Sequence, residues 1–182
     1  MEHESVAHYA EHFGHDHTVK LSRGLQLLMA EHAPILQEAA GLLAALADAK
    51  ADERADMQSV NALLDRYRQF AELLERHSEK EERVLFGLLK SLLGTPHGPI
   101  EIMELEHEEI RKHMQTFAQI GRELSAASLH DGLSGMCDAL RQADEVMRQH
   151  FYKEEHAIFP MAEQLLSEEQ KERIARELAC KQ

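Results

Sequence analysis

Apolar side chains recur along this chain at steps of three and four, the period of one face of an α-helix. Leu21, Leu25, Leu28, Ile35, Ala39, Leu42 and Leu46 form one such stripe and predict a first helix from about Thr18 to Ala49. Val60, Leu64, Tyr67, Ala71 and Leu74 predict a second, from about Asp52 to Leu93. Gly94-Thr95-Pro96-His97-Gly98-Pro99 then breaks the pattern, and Pro99 suits the first turn of a third helix to about Ala127. Its stripe is Met103, Ile110, Met114, Phe117, Gly121 and Leu124. Met136, Leu140, Ala143, Met147, Ala157 and Met161 predict a fourth helix, Asp131 to Ala162, which Pro160 is expected to bend or end. Pro34 is an expected kink in the first. Ser167-Glu168-Glu169-Gln170 reads as a capping box that opens a short fifth helix to about Ala179. Runs with strand alternation are absent. The expected fold is all-α, an antiparallel up-down four-helix bundle over 18–182 with a short C-terminal fifth helix, preceded by a His-rich arm over 1–17.

The stripes have gaps, and ionisable residues fill them. His32 sits between Leu28 and Ile35, and His107 between Met103 and Ile110. His77 and Glu81 follow Leu74 and precede Val84 and Leu88; His150 and Glu154 sit between Met147 and Ala157. A His and a Glu four apart lie about 40° apart around a helix, on one face. Each of the four helices thus aims one imidazole at the core, and two add a carboxylate. A buried carboxylate without a partner costs several kcal/mol or neutralises. A single core His is commonly a satisfied structural residue, but six such groups on four helices call for positive charge. A bundle interior is a common place for a metal site.

The pattern also repeats. Glu31-His32 matches Glu106-His107, His77-Ser78-Glu79-Lys80-Glu81-Glu82 matches His150-Phe151-Tyr152-Lys153-Glu154-Glu155, and Phe86 matches Phe159. Two helix hairpins of one design predict two metal ions. Shared between two ions, four imidazoles and two carboxylates give each ion two His, with both Glu free to bridge. Positions remain for an oxo or hydroxo bridge and for an exogenous molecule, which marks a reactive site rather than a closed structural one. Imidazole and carboxylate without thiolate suit iron; zinc and manganese stay open.

Composition narrows the classes. The chain has 182 residues, a formal charge of −13 and 43% apolar residues, enough to bury a core. The acidic balance disfavours nucleic acid and anionic membranes as partners. No apolar run reaches the length of a membrane span. Met1 to His17 show neither a basic start nor an apolar stretch, so no signal peptide is read there, and Cys137 and Cys180 form no CxxC; a cytoplasmic location is the expectation. Thirteen His are the outlying count.

The order EH…HxxxE…EH…HxxxE, from Leu21 to about Met161, resembles the hemerythrin-like (His-His-Glu cation-binding) bundles. That resemblance implies a non-haem di-iron centre: His32 and His77 on one iron, His107 and His150 on the other, Glu81 and Glu154 bridging. The oxygen-carrying hemerythrins have a His-xxx-His pair on the third helix, where this chain has His107 and Arg111. Their fourth helix supplies an Asp five after its His; here Glu155 holds that offset and Glu154 is the expected ligand. The four-His, two-Glu set is more similar to the di-iron proteins of iron–sulfur-cluster repair, linked to nitric-oxide and peroxide stress. Those usually carry an N-terminal cysteine-bearing domain, and no Cys precedes His32. The ferritin-like bundles match less well, since their motif order is ExxH. The implied function is binding of, or reaction with, O₂, NO or peroxide, or donation of iron for cluster repair, with a protein partner for iron transfer or electron donation. Rival readings are an iron- or oxygen-responsive sensor or storage bundle without turnover, and a metal-free helical interaction domain.

Other residues carry weaker signals. His3, His8, His12, His15 and His17 read as a solvated tail, or as an iron-loading arm. His97, His113, His130 and His156 read as surface or turn residues. Glu82 and Glu155 read as solvated charges, with the alternative of accepting from a ring N–H. Glu31 and Glu106 read as surface groups or as acceptors behind a ligand. Tyr67 and Tyr152 read as packing or surface residues.

Overall fold

The computed structural model describes residues 19–52, 54–94 and 98–179. His3, His8, His12, His15, His17, His97 and Cys180 lie outside the described residues. Among the described residues there is no strand, and the fold is all-α. The helices are α1 (Arg23–Ala51), α2 (Met57–Lys80), α3 (Gly87–Leu93), α4 (Pro99–Glu123), α5 (Leu129–Lys153), α6 (Phe159–Leu165) and α7 (Glu168–Ala179). Two π-helical turns, Glu81–Phe86 and Glu154–Ile158, join α2 to α3 and α5 to α6. Among the described residues no helix is long and apolar enough to cross a membrane.

The boundaries follow from capping. The second helix starts at Met57, later than the periodicity suggested, because Asp56 caps it: Asp56 Oδ1 accepts from the Ser59 N–H at 2.9 Å, and Ser59 Oγ accepts from the Asp56 N–H at 3.2 Å. The third ends at Glu123, short of Ala127, where Ser125 and Ser128 cap a 3₁₀ turn, Ala126–Ser128. The Ser167–Gln170 capping box forms as expected. Gly94 closes α3 with φ 62°, a left-handed conformation that favours glycine. Neither internal proline ends a helix. Pro34 lies inside α1. Pro160 lies in the first turn of α6, directly after a π turn, where a missing N–H is tolerated.

The described residues fall into two compact units. One holds the described parts of Met1–His32, Arg76–Glu106 and Gln149–Gln182; its core is Leu25, Leu28, Val84, Leu85, Phe86, Leu89, Ile100, Met103, Ile158, Phe159, Met161, Ala162, Leu166, Ile174 and Leu178. Here α7 lies close on α1: a Cβ on Gly24 would meet Ile174 Cγ2 at 2.6 Å and the Ala175 backbone nitrogen at 3.1 Å. The other unit, Ala33–Glu75 and His107–Arg148, buries Ile35, Leu42, Leu46, Val60, Phe70, Leu74, Met114, Phe117, Met136 and Leu140. Tyr67 stacks on Phe117 there, with ring centroids 4.0 Å apart, and donates its hydroxyl to the Met114 carbonyl.

Candidate metal centre

Five of the six residues singled out in the sequence, His32, His77, Glu81, His150 and Glu154, lie in the first unit, and each is 0–2% exposed. His107 is equally buried, follows Glu106 on α4, and opens the second segment of the other unit.

The ring nitrogens meet carboxylate oxygens at one spacing. His77 Nε2 lies 3.2 Å from Glu81 Oε1, His32 Nε2 lies 3.3 Å from Glu154 Oε2, and His150 Nε2 lies 3.4 Å from Glu154 Oε1. His32 Nε2 also lies 3.9 Å from Glu81 Oε1. Ligand atoms of His32, His77, Glu81 and Glu154 all fall within 4.8 Å of one another. The Nε2 atoms of His32 and His77 and both oxygens of Glu154 are buried without a well-formed hydrogen bond. Donors held about 2.1 Å from a common cation stand roughly 3.0–3.4 Å apart. The spacing, the imidazole and carboxylate chemistry and the absence of thiolate from the cluster therefore fit a divalent cation.

The outward nitrogens are held differently. His77 Nδ1 donates to Glu31 at 3.0 Å, His150 Nδ1 to Glu106 at 3.1 Å, and His32 Nδ1 to Glu155 at 2.7 Å. A ring whose Nδ1 carries the proton presents the Nε2 lone pair to the interior. Glu155 is thus an acceptor and not merely a solvated charge, and Glu31 and Glu106 take the role of acceptors behind the rings. Phe151 stacks on His32 at 4.0 Å and 5° between planes, and Phe159 lies 5.7 Å away, so the His32 ring is fixed on its faces as well.

Burial opposes a charge on these rings, but the carboxylates outweigh it. Glu154 and Glu81 push His32 up to about 9; Glu81 and Glu31 push His77, and Glu154 and Glu106 push His150, up to about 10. For Glu31 and Glu106 burial acts upward, yet His77 with Lys80, and His150 with Lys153, hold the carboxyls below their usual range. Without a cation, protons on the imidazoles offset the buried negative charge; a cation would displace them.

Sequence periodicity missed the π turns. Each begins at one of the two buried glutamates. The Phe159 N–H donates to the Glu154 carbonyl, an i→i+5 bond. In a continuous α-helix, Phe86 and Phe159 would stand about 140° around from Glu81 and Glu154. The wider turn brings both phenylalanines to the core, fully buried. It also re-phases the stripe: Val84, Leu85, Phe86 and Leu89 are buried, while Leu88 is only partly so. The repeated spacing of five from each Glu to a Phe was the signal available in the sequence. Tyr67 lies in the other unit, and Tyr152 is 62% exposed, stacked on His156.

The model of the hemerythrin HHE cation binding domain matches residues 23–162, which include all six of these residues. The chain belongs to this family. Its all-α fold is that family's helical bundle, with α7 as a short fifth helix. An iron-sulfur cluster repair protein YtfE of Dickeya chrysanthemi (strain Ech1591) is 28% identical over 98 residues, 49% of this chain and 41% of the relative. The protein of that name from Salmonella schwarzengrund (strain CVM19633) is 27% identical over 100 residues, 50% of this chain and 42% of the relative. This hemerythrin domain thus spans less than half the length of the relatives it matches.

Proposed function

We propose that the domain holds a non-haem di-iron centre, with His32 and His77 on one ion, His107 and His150 on the other, and Glu81 and Glu154 between them. The observation that carries this reading is Glu154: one of its oxygens faces His32 and the other faces His150, at 3.3 and 3.4 Å. A carboxylate turned to two imidazoles suits a bridge better than a terminal ligand. His107 enters as the fourth imidazole through the internal repeat that pairs Glu31-His32 with Glu106-His107. Bound iron would supply redox chemistry and open positions for a small molecule. The chain's own residues do the rest. Glu31, Glu106 and Glu155 keep the Nδ1 protons outward. Phe151 and Phe159 cover His32 with apolar surface that excludes water.

The function follows as binding of, or reaction with, O₂, NO or peroxide under oxidative or nitrosative stress, or donation of iron to damaged clusters. The likeness to two iron-sulfur cluster repair proteins supports the repair branch. Mixing the anaerobically iron-loaded protein with NO or peroxide should change its visible and electron paramagnetic resonance spectra within seconds. Incubation with a cluster-damaged iron–sulfur enzyme should restore that enzyme's activity as iron leaves this chain. A loaded protein inert in both assays would sink the reading. Iron-dependent protease resistance without either reaction would favour a sensor or storage bundle, since a cation bound to the folded form stabilises it.

A further inference from the structure

The same three-membered chain stands behind two of the site imidazoles. His77 Nδ1 donates to Glu31 Oε2, and Lys80 Nζ donates to the other oxygen, Oε1. His150 Nδ1 donates to Glu106 Oε2, and Lys153 Nζ donates to Oε1. Both oxygens of each carboxylate are thereby committed. Each lysine stands three residues beyond its histidine, at the last position before a π turn. His32 is the contrast. Its Nδ1 donates to Glu155, and among the described residues no lysine or arginine pairs with that carboxylate.

We propose that Lys80 and Lys153 are positioning residues: each pins the carboxylate that orients one metal-facing imidazole, Glu31 on His77 and Glu106 on His150. The inference rests on the metal-centre reading above. The physical reason is the freedom of a glutamate at the rim. Glu31 is 30% exposed and Glu106 15%, so either could turn to water and release the ring. An ammonium on one oxygen leaves the other aimed at the ring N–H. The lysine is on the histidine's own helix and the glutamate on another. Each pair therefore ties two helices together at the level of the ring. Lys90 and Glu104 form an ion pair of the same type, but it touches no site imidazole.

The experiment compares Lys80→Met, Lys153→Met, their Lys→Arg counterparts and Lys90→Met by two readouts. The first is histidine ¹⁵N NMR of the metal-free protein, following solvent exchange of each Nδ1 proton. The second is Co²⁺ titration against a chelator, read by visible absorption. Loss of a charge-assisted hydrogen bond corresponds to about ten-fold faster exchange or more. Lys80→Met should show this at His77 alone, and Lys153→Met at His150 alone. Wild-type His32 should already exchange faster than either. Co²⁺ affinity should fall about ten-fold in each Met variant, with a shifted spectrum, and arginine should restore both readouts. Lys90→Met should change neither. Unchanged exchange in both Met variants overturns the proposal, as does failure of arginine to restore what methionine loses. If a Met variant does not fold, Lys→Gln replaces it with the same expectations. A wild type that binds no Co²⁺ refutes the metal reading, while the exchange rates still decide the role of the lysines.

Discussion

The two compact units are made of helices with the same apolar period, yet they bury different chemistry. In the unit containing Phe117, the core is aliphatic and aromatic, and the Tyr67 hydroxyl is satisfied by the Met114 carbonyl. In the unit containing Glu81, two carboxylates and three imidazoles replace apolar residues at stripe positions, each nearly sealed from solvent. Both π turns among the described residues lie in that second case, each starting at a buried glutamate. Apart from His107, the core of one unit is apolar packing. The other departs from helical regularity where charge is concentrated, as π turns often do at functional sites. His107 is the exception, a buried ionisable residue and proposed ligand at the first position of its unit's second segment.

That contrast predicts separable phenotypes. Glu81→Ala or Glu154→Ala should remove at least one metal ion per chain while far-ultraviolet circular dichroism stays helical; full metal content in both variants would break the contrast. Phe117→Ala should do the opposite. Removing a fully buried ring costs about 3–5 kcal/mol in denaturant unfolding, with metal stoichiometry kept in the folded fraction.

The metal-free protein should also respond to alkali through its imidazoles. The folded-state pKa values, about 9 for His32 and about 10 for His77 and His150, lie above the ordinary 6.5. Their stabilising contribution is therefore complete below 6.5 and lost as pH rises through 9 and 10. Urea midpoints of chelator-treated protein should fall across that window, and a flat profile would argue against ring–carboxylate pairing. Tyr67→Phe should have the smallest effect, about 0.5–1.5 kcal/mol, with metal binding unaltered.

Much of this was legible in the sequence because helical period is a local signal. The four stripes and the six ionisable residues that interrupt them are all read from spacing, and the Ser167–Gln170 box from its motif. The hydrogen bonds from His32 to Glu155, His77 to Glu31 and His150 to Glu106 were not legible as such. Glu31 directly precedes His32 yet serves His77, and Glu106 precedes His107 yet serves His150. Only the packing of helices against each other decides that choice. The π turns were hidden for another reason. An assumed constant 100° per residue carries Val84 and Leu88 inward; with one wider turn Val84 stays buried, but Phe86 and Leu89 are buried in place of Leu88.

The central claim is that paired cations neutralise the converging imidazoles and carboxylates. Its most direct test is iron analysis with Mössbauer spectroscopy on wild-type protein loaded anaerobically, desalted and exposed to air. The account predicts about two irons per chain, magnetically coupled in the ferric state. Iron at background level, or a single uncoupled ion that survives Glu154→Ala, would contradict it.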